Sequence, residues 1–164
     1  MNVSTFDQAS GVLVCLFEVA SRTFAVEIGH AREARVFNDY TVVPLAPPHL
    51  IGMTNLRGAI IPIVDLRLLL GLSTGAGTVH ALVVEANAIR VALAVDRVLG
   101  VEALEEEVEA GDADAAHSDL ERRRLRRGDD AVPVLDVVKI VDSLVHRAPS
   151  ETVDASAVAK EGEG

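Results

Sequence analysis

The chain contains two copies of one β-rich unit, and this internal repeat constrains its fold more than any other feature. Phe17-Glu18 aligns with Val84-Glu85. In the same gap-free alignment Phe24-Ala25-Val26 falls on Val91-Ala92-Leu93, and Ile28 on Val95. A second stretch also repeats. Arg57-Gly58, followed by Ile61-Pro62-Ile63-Val64-Asp65-Leu66, matches Arg127-Gly128, followed by Val132-Pro133-Val134-Leu135-Asp136-Val137. The spacing between the copies is slightly larger in the second stretch than in the first, which implies small insertions between them. Shared Gly, Pro and Asp positions separate the match from chance similarity between apolar runs. One unit of this size would be only marginally stable alone, so two are expected to pack together.

The local signals within each copy are those of short strands. Residues 13–19 and 24–28 flank Ala20-Ser21-Arg22-Thr23, and residues 81–85 and 89–95 flank Ala86-Asn87-Ala88; both read as hairpins. Residues 59–64, 98–104 and 131–135 are further strands. Many short strands separated by turns predict barrels or a sandwich rather than a doubly wound sheet. Two segments are helical in pattern. Residues 65–70 open on Asp65, a good N-cap, and stop at Gly71. Residues 136–144 open on Asp136 and carry an apolar stripe at Val137, Ile140, Val141 and Leu144. Pro62, Asp65, Pro133 and Asp136 are therefore read as structural.

Composition removes several function classes. Of 164 residues, 49% are hydrophobic but only 3% aromatic, so the core must be built from aliphatic side chains. A net charge of -10 disfavours nucleic acid and anionic membrane surfaces, which need a basic face. Cys15, the single cysteine, sits in the apolar run 12–17 and reads as a small buried hydrophobe. The first residues lack the basic and apolar regions of a signal peptide, and Glu85, Arg90 and Asp96 interrupt the longest apolar candidate for a membrane span. A cytoplasmic protein without membrane insertion is expected. Residues 1–11 read as a flexible N-terminus, 12–147 as the folded domain and 148–164 as a disordered tail.

No catalytic arrangement emerges. Asp65 and Asp136 occupy equivalent pre-helical positions, which argues for capping and against a carboxylate pair. The histidines, 30, 49, 80, 117 and 146, have no partner at metal-ligand spacing. Asp112-Ala113-Asp114 starts like a calcium loop, but His117 stands where glycine is needed and Arg123 where the closing glutamate is needed. Neither metal nor cofactor is expected, and the chain is not expected to be an enzyme. The acidic run 102–114 and the basic run 122–127 read as solvated segments that attract one another, or as a partner contact.

The most specific stretch runs from Pro44 to Leu72. It has a proline-rich approach, then Gly52-Met53-Thr54-Asn55-Leu56-Arg57-Gly58, then Ile61-Pro62-Ile63-Val64-Asp65-Leu66-Arg67 and a short helix ending in Gly71-Leu72. This resembles the signature of the CheW-like family, and the resemblance extends over roughly residues 12–146. It implies a mainly β fold of two SH3-like five-stranded barrels with short helices, packed over a shared core. It also implies a scaffold that couples the signalling tip of a chemoreceptor to the regulatory domain of a CheA-type histidine kinase. By resemblance, Arg57, Asn55, Gly52, Gly58 and Glu33 are receptor-binding; no residue is assigned to the kinase contact. Gly52 and Gly58 bracket Asn55-Leu56-Arg57 and let the turn present Arg57. Arg57 can equally serve as a structural arginine, and Glu33 as a solvated charge. The family usually has an apolar residue at the place of Ala31, so this receptor contact is expected to be weaker here. The chain departs from the family before Arg127, where Leu120-Glu121-Arg122 replaces an apolar strand with a glycine, so that edge strand is expected to be short, frayed or rebuilt. The alternative reading is a small β-barrel ligand- or protein-binding module outside chemotaxis.

Overall fold

The computed structural model describes residues 11–72, 79–106 and 119–146. The expected tail, the first ten residues and most of the calcium-loop-like stretch lie outside them. The described chain is mainly β: β1 (Val12–Val19), β2 (Arg22–Glu27), β3 (Ala31–Phe37), β4 (Leu50–Leu56), β5 (Ala59–Asp65), α1 (Leu66–Leu69), β6 (Val79–Ala86), β7 (Ile89–Val95), β8 (Arg97–Glu106), β9 (Glu121–Arg127), β10 (Asp130–Leu135) and α2 (Val137–His146). They form two five-stranded sheets. The order β1-β2-β10-β9-β8 closes into a barrel, and the order β3-β6-β7-β5-β4 stays open.

The two copies exchange hairpins. The hairpin β1–β2 joins strands of the second copy through a parallel contact of Val134 with Ala25. The hairpin β6–β7 joins the first copy through parallel contacts that begin at Ile63 with Ala92. Each hairpin is therefore buried on both faces, which is why its strands read as unbroken apolar runs. Alternate residues go to different cores. Val14, Leu16 and Ala25 fill the interior of the closed barrel with Leu104, Leu125, Val132 and Val134. Ala81, Val83 and Ala92, their counterparts in the second hairpin, fill the interior of the open sheet. The intervening Cys15, Phe17, Phe24 and Val26, with Leu82, Val84, Val91 and Leu93, meet in a shared core covered by Leu66, Ile140 and Val141. Burial there pushes the Cys15 thiol above its ordinary value.

The repeat extends to fine detail. A register shift falls between Ala31 and Glu33 against β6, and another between Leu16 and Phe17 against β8. Leu50 and Gly52 flank a bulge opposite β5, as Glu121 and Arg123 do opposite β10. Pro62 faces Met53, whose own N–H and C=O bond Thr41 on the far side, so the β4–β5 ladder needs no donor from the proline. Pairing of β5 with β7 starts one residue later, at Ile63, and Pro133 precedes Val134 in the same way. Asp65 Oδ1 accepts from Arg67 N at 2.9 Å, and Asp136 Oδ1 from Lys139 N at 3.0 Å, so both carboxylates cap helices. Arg67 also bonds Asp96, whose other oxygen accepts from Ala20 N at 2.7 Å and ties α1 to the first hairpin.

Three expectations need correction. The hairpin turns are tighter than expected: Ala20-Ser21 and Asn87-Ala88 are two-residue loops with φ of 51 and 62° and of 51 and 63°. The Arg-Gly match slips by one residue. Leu56 pairs with Ala59 and Arg127 with Asp130, so Gly128, not Arg127, stands where Arg57 stands. β9 is a full seven-residue strand, not a short or frayed one. Only Leu125 of it is fully buried; the rest is held by ion pairs of Arg123 with Glu27 and Glu106, Arg124 with Glu121, Arg126 with Glu105 and Arg127 with Glu102. The two five-stranded units also differ in how they are completed. In the first, residues 38–41 rather than a strand pair span the opening between β3 and β4, joined to β4 by the Thr41–Met53 bridge.

Candidate functional site: the Arg57 turn

The turn between β4 and β5 is the two residues Arg57 and Gly58, with φ of 50 and 85°. Positive φ at both positions is the twist that a tight hairpin requires, and Gly58 meets it without a Cβ penalty. Asn55 Oδ1 accepts from Gly58 N at 2.8 Å and fixes the loop from inside. Asn55 is thereby occupied in holding the turn. Arg57 Nη2 donates to Glu33 Oε2 at 2.6 Å, while the arginine side chain remains 67% exposed. Arg57 is presented to solvent and aimed by Glu33.

Glu33 lies between two cations. Arg35 Nε is 3.7 Å from its Oε1, and that oxygen is buried without a hydrogen-bond partner. Beside it on the β3 bulge, Arg32 Nε is 3.4 Å from Glu85 Oε2, and Arg90 Nε donates to the same oxygen at 2.7 Å. The Arg90 hydrogen bond holds the Glu85 carboxyl below its ordinary value, and Glu85 in turn raises Arg90. Four guanidinium groups thus meet two carboxylates on a chain that is acidic overall.

Of the five residues assigned by resemblance, the structure brings Arg57, Asn55, Gly58 and Glu33 together. Gly52 does a different job. It is buried on β4, where a Cβ would lie 2.6 Å from Thr41 O and 2.8 Å from Tyr40 Cδ2. Its lack of a side chain admits the segment that spans the opening of the sheet. Arg32, Arg35, Glu85 and Arg90 were not assigned to the site from sequence. They lie in strands whose pairing, not periodicity, makes them neighbours.

A second feature is a groove of about 800 Å³, walled by Pro44, Leu45, Pro62 and Val91 and by Val141 and Leu144 of α2. Among the described residues His49 is its one polar lining side chain, and these residues supply no converging set of polar groups to orient a small ligand. Among the described residues no group of three or more His, Cys, Asp or Glu could hold a metal ion, and no helix is long and apolar enough to cross a membrane.

Comparison with known proteins agrees with this architecture. A chemotaxis protein of Rhizobium etli, described as a probable CheW, is 32% identical over 126 residues, which cover 76% of this chain and 80% of that one. CheW of Thermotoga maritima is 34% identical over 89 residues, covering 54% of this chain and 59% of that protein. The crystal structure of the scaffolding protein TtCheW from Thermoanaerobacter tengcongensis superposes with a TM-score of 0.66 at 20% identity, covering 77% of this chain and 89% of that one. The model of the CheW-like domain matches residues 13–145, most of the chain, and the protein belongs to the CheW-like domain family.

Proposed function

We propose that this chain is a non-catalytic coupling adaptor of a chemosensory system, working in the cytoplasm. It binds the signalling tip of a chemoreceptor and the regulatory domain of a CheA-type histidine kinase at the same time. The observation that carries this reading is the Arg57 turn. It holds an exposed guanidinium rigidly, aimed by Glu33, on a fold shared with chemotaxis scaffolds. A planar fork of donors held in this way suits carboxylates and carbonyls at the end of a helical hairpin. The apolar groove beside α2 offers further surface to a protein partner and little to a small molecule.

The test is a bridging assay. The full chain is mixed with a receptor signalling-tip fragment and with the kinase regulatory domain, and recovery of the kinase domain on immobilised receptor is measured. The adaptor reading expects recovery only when the chain is present, and a marked loss with Arg57→Ala. Failure of the wild-type chain to bridge the two would sink it.

A further inference from the structure

We propose that Arg90 and Arg32, gathered on Glu85 beside the Arg57 turn, form a second anion-binding anchor, so that the docking face takes two carboxylates of the partner rather than one. The inference rests on the adaptor reading and deepens it.

Positive charge is unevenly balanced over the protein. Arg67 is matched by Asp96, and Arg97 by Glu18. On β9 four of five arginines pair with Glu27, Glu102, Glu105, Glu106 and Glu121, five acids for five bases. Around β3 the balance differs. Arg57 and Arg35 share Glu33, and Arg32 and Arg90 share Glu85, so each group keeps an excess of one positive charge. Among the ion pairs of the described residues, the two groups in which arginines outnumber acids are those along β3, at the face already marked by Arg57.

The two groups are neighbours through backbone pairing. Arg32 and Glu33 are consecutive on β3, and Ala31 pairs with Val84, next to Glu85. Glu85 N donates to His30 O at 2.9 Å and Glu85 pairs with Arg90 across β6–β7, which locks the second group to the start of β3. Arg90 commits Nε to Glu85, and its side chain is 46% exposed. A guanidinium has more donors than that one contact uses. Arg32, in the bulge, reaches Glu85 while the next residue, Glu33, reaches Arg57, so the two anchors adjoin along β3 and can meet one helical-hairpin end carrying more than one carboxylate.

The test titrates the full chain with a receptor signalling-tip fragment at low and high salt. Arg90→Ala and Arg32→Ala are each expected to weaken binding about 3- to 10-fold at low salt, as losing a partly screened charge contact does. The loss should shrink at high salt, and Arg90→Glu should be worse than Arg90→Ala. Arg126→Ala on β9 should bind as wild type. Should Arg90→Ala be found unstable by melting, Arg90→Gln replaces it in the same comparison. If Arg57→Ala weakens binding while Arg90→Ala and Arg32→Ala bind as wild type, the second anchor is wrong and the adaptor reading stands. If all three bind as wild type, both are wrong for this face.

Discussion

On β3 the open sheet carries Glu33, and at the turn after β4 it carries Arg57; at the equivalent positions of the other copy, the closed barrel carries Gly100 and Gly128. The two copies share strand order, bulges, proline placement and helix caps, yet the ion pair of the candidate site exists in only one of them. Two further equivalent pairs show why. Leu125 fills the interior of the closed barrel, whereas its counterpart Thr54 donates to Asp39 O at 3.0 Å, holding the segment that spans the opening. Arg123 bridges Glu27 and Glu106 across the closed seam, whereas its counterpart Gly52 leaves room for Thr41. The closed barrel matches the arginines of β9 with as many acids, and the open sheet gathers two arginines on each of two acids. The two copies share a scaffold, and differences at a few matched positions set them apart.

The contrast can be broken at several points. The largest effect is expected inside the closed barrel. Leu125→Ala should lower stability by about 2–5 kcal/mol through lost contacts and a cavity, measured by urea unfolding. A loss below half a kilocalorie would mean that β9 does not seal a packed interior. Next comes the open sheet. Gly52→Ala must push back the backbone at Thr41 and should cost about 1–3 kcal/mol, read from the melting curve together with loss of amide protection at Met53. Unchanged protection there would contradict the bridge. The β8–β9 ladder should matter less. Arg126→Ala removes an exposed pair and should cost about 0.2–1 kcal/mol at low salt, and less as salt is raised; an equal loss at both salt levels would show that packing rather than charge is involved.

The smallest effect belongs to Glu85. Because its folded-state carboxyl titrates below the unfolded value, its stabilising contribution is present above the ordinary glutamate range and is lost as pH falls through the lowered value. An NMR titration should find the Glu85 carboxyl below its ordinary value and find it returned towards that value in Arg90→Ala. No difference between the two would remove Arg90 as the cause.

Much of the fold was legible because the hairpins are buried on both faces. Their continuous apolar runs, the two Asp caps and the paired prolines are local signals. β3 and β9 were harder to read. Ala31–Phe37 buries only Phe37 fully, and Glu121–Arg127 only Leu125, so neither has an apolar periodicity to detect. Ion pairs to residues far along the chain hold β9, and local pattern carries no record of them. The exchange of hairpins between copies and the one-residue slip at Arg127 are likewise matters of long-range register. At the site, the glycine-bracketed turn pointed to Arg57 beside the family resemblance, but Glu33 came from resemblance alone, since 24 residues of sequence separate a pair that the fold brings to 2.6 Å.

Partner recognition should therefore lie at the Arg57 turn of the open sheet and not at the arginine-rich strand of the closed barrel. Calorimetric titration of a receptor signalling-tip fragment into Arg57→Ala, Arg57→Lys and Arg126→Ala, with circular dichroism to check folding, separates the two. Arg57→Ala is expected to lose about 1–3 kcal/mol of binding, the range for a charged hydrogen-bonding contact. Arg57→Lys should recover only part of it, because an ammonium lacks the planar fork, and Arg126→Ala should bind as wild type. Normal receptor binding by a folded Arg57→Ala, or a greater loss in Arg126→Ala, would place recognition elsewhere on the molecule.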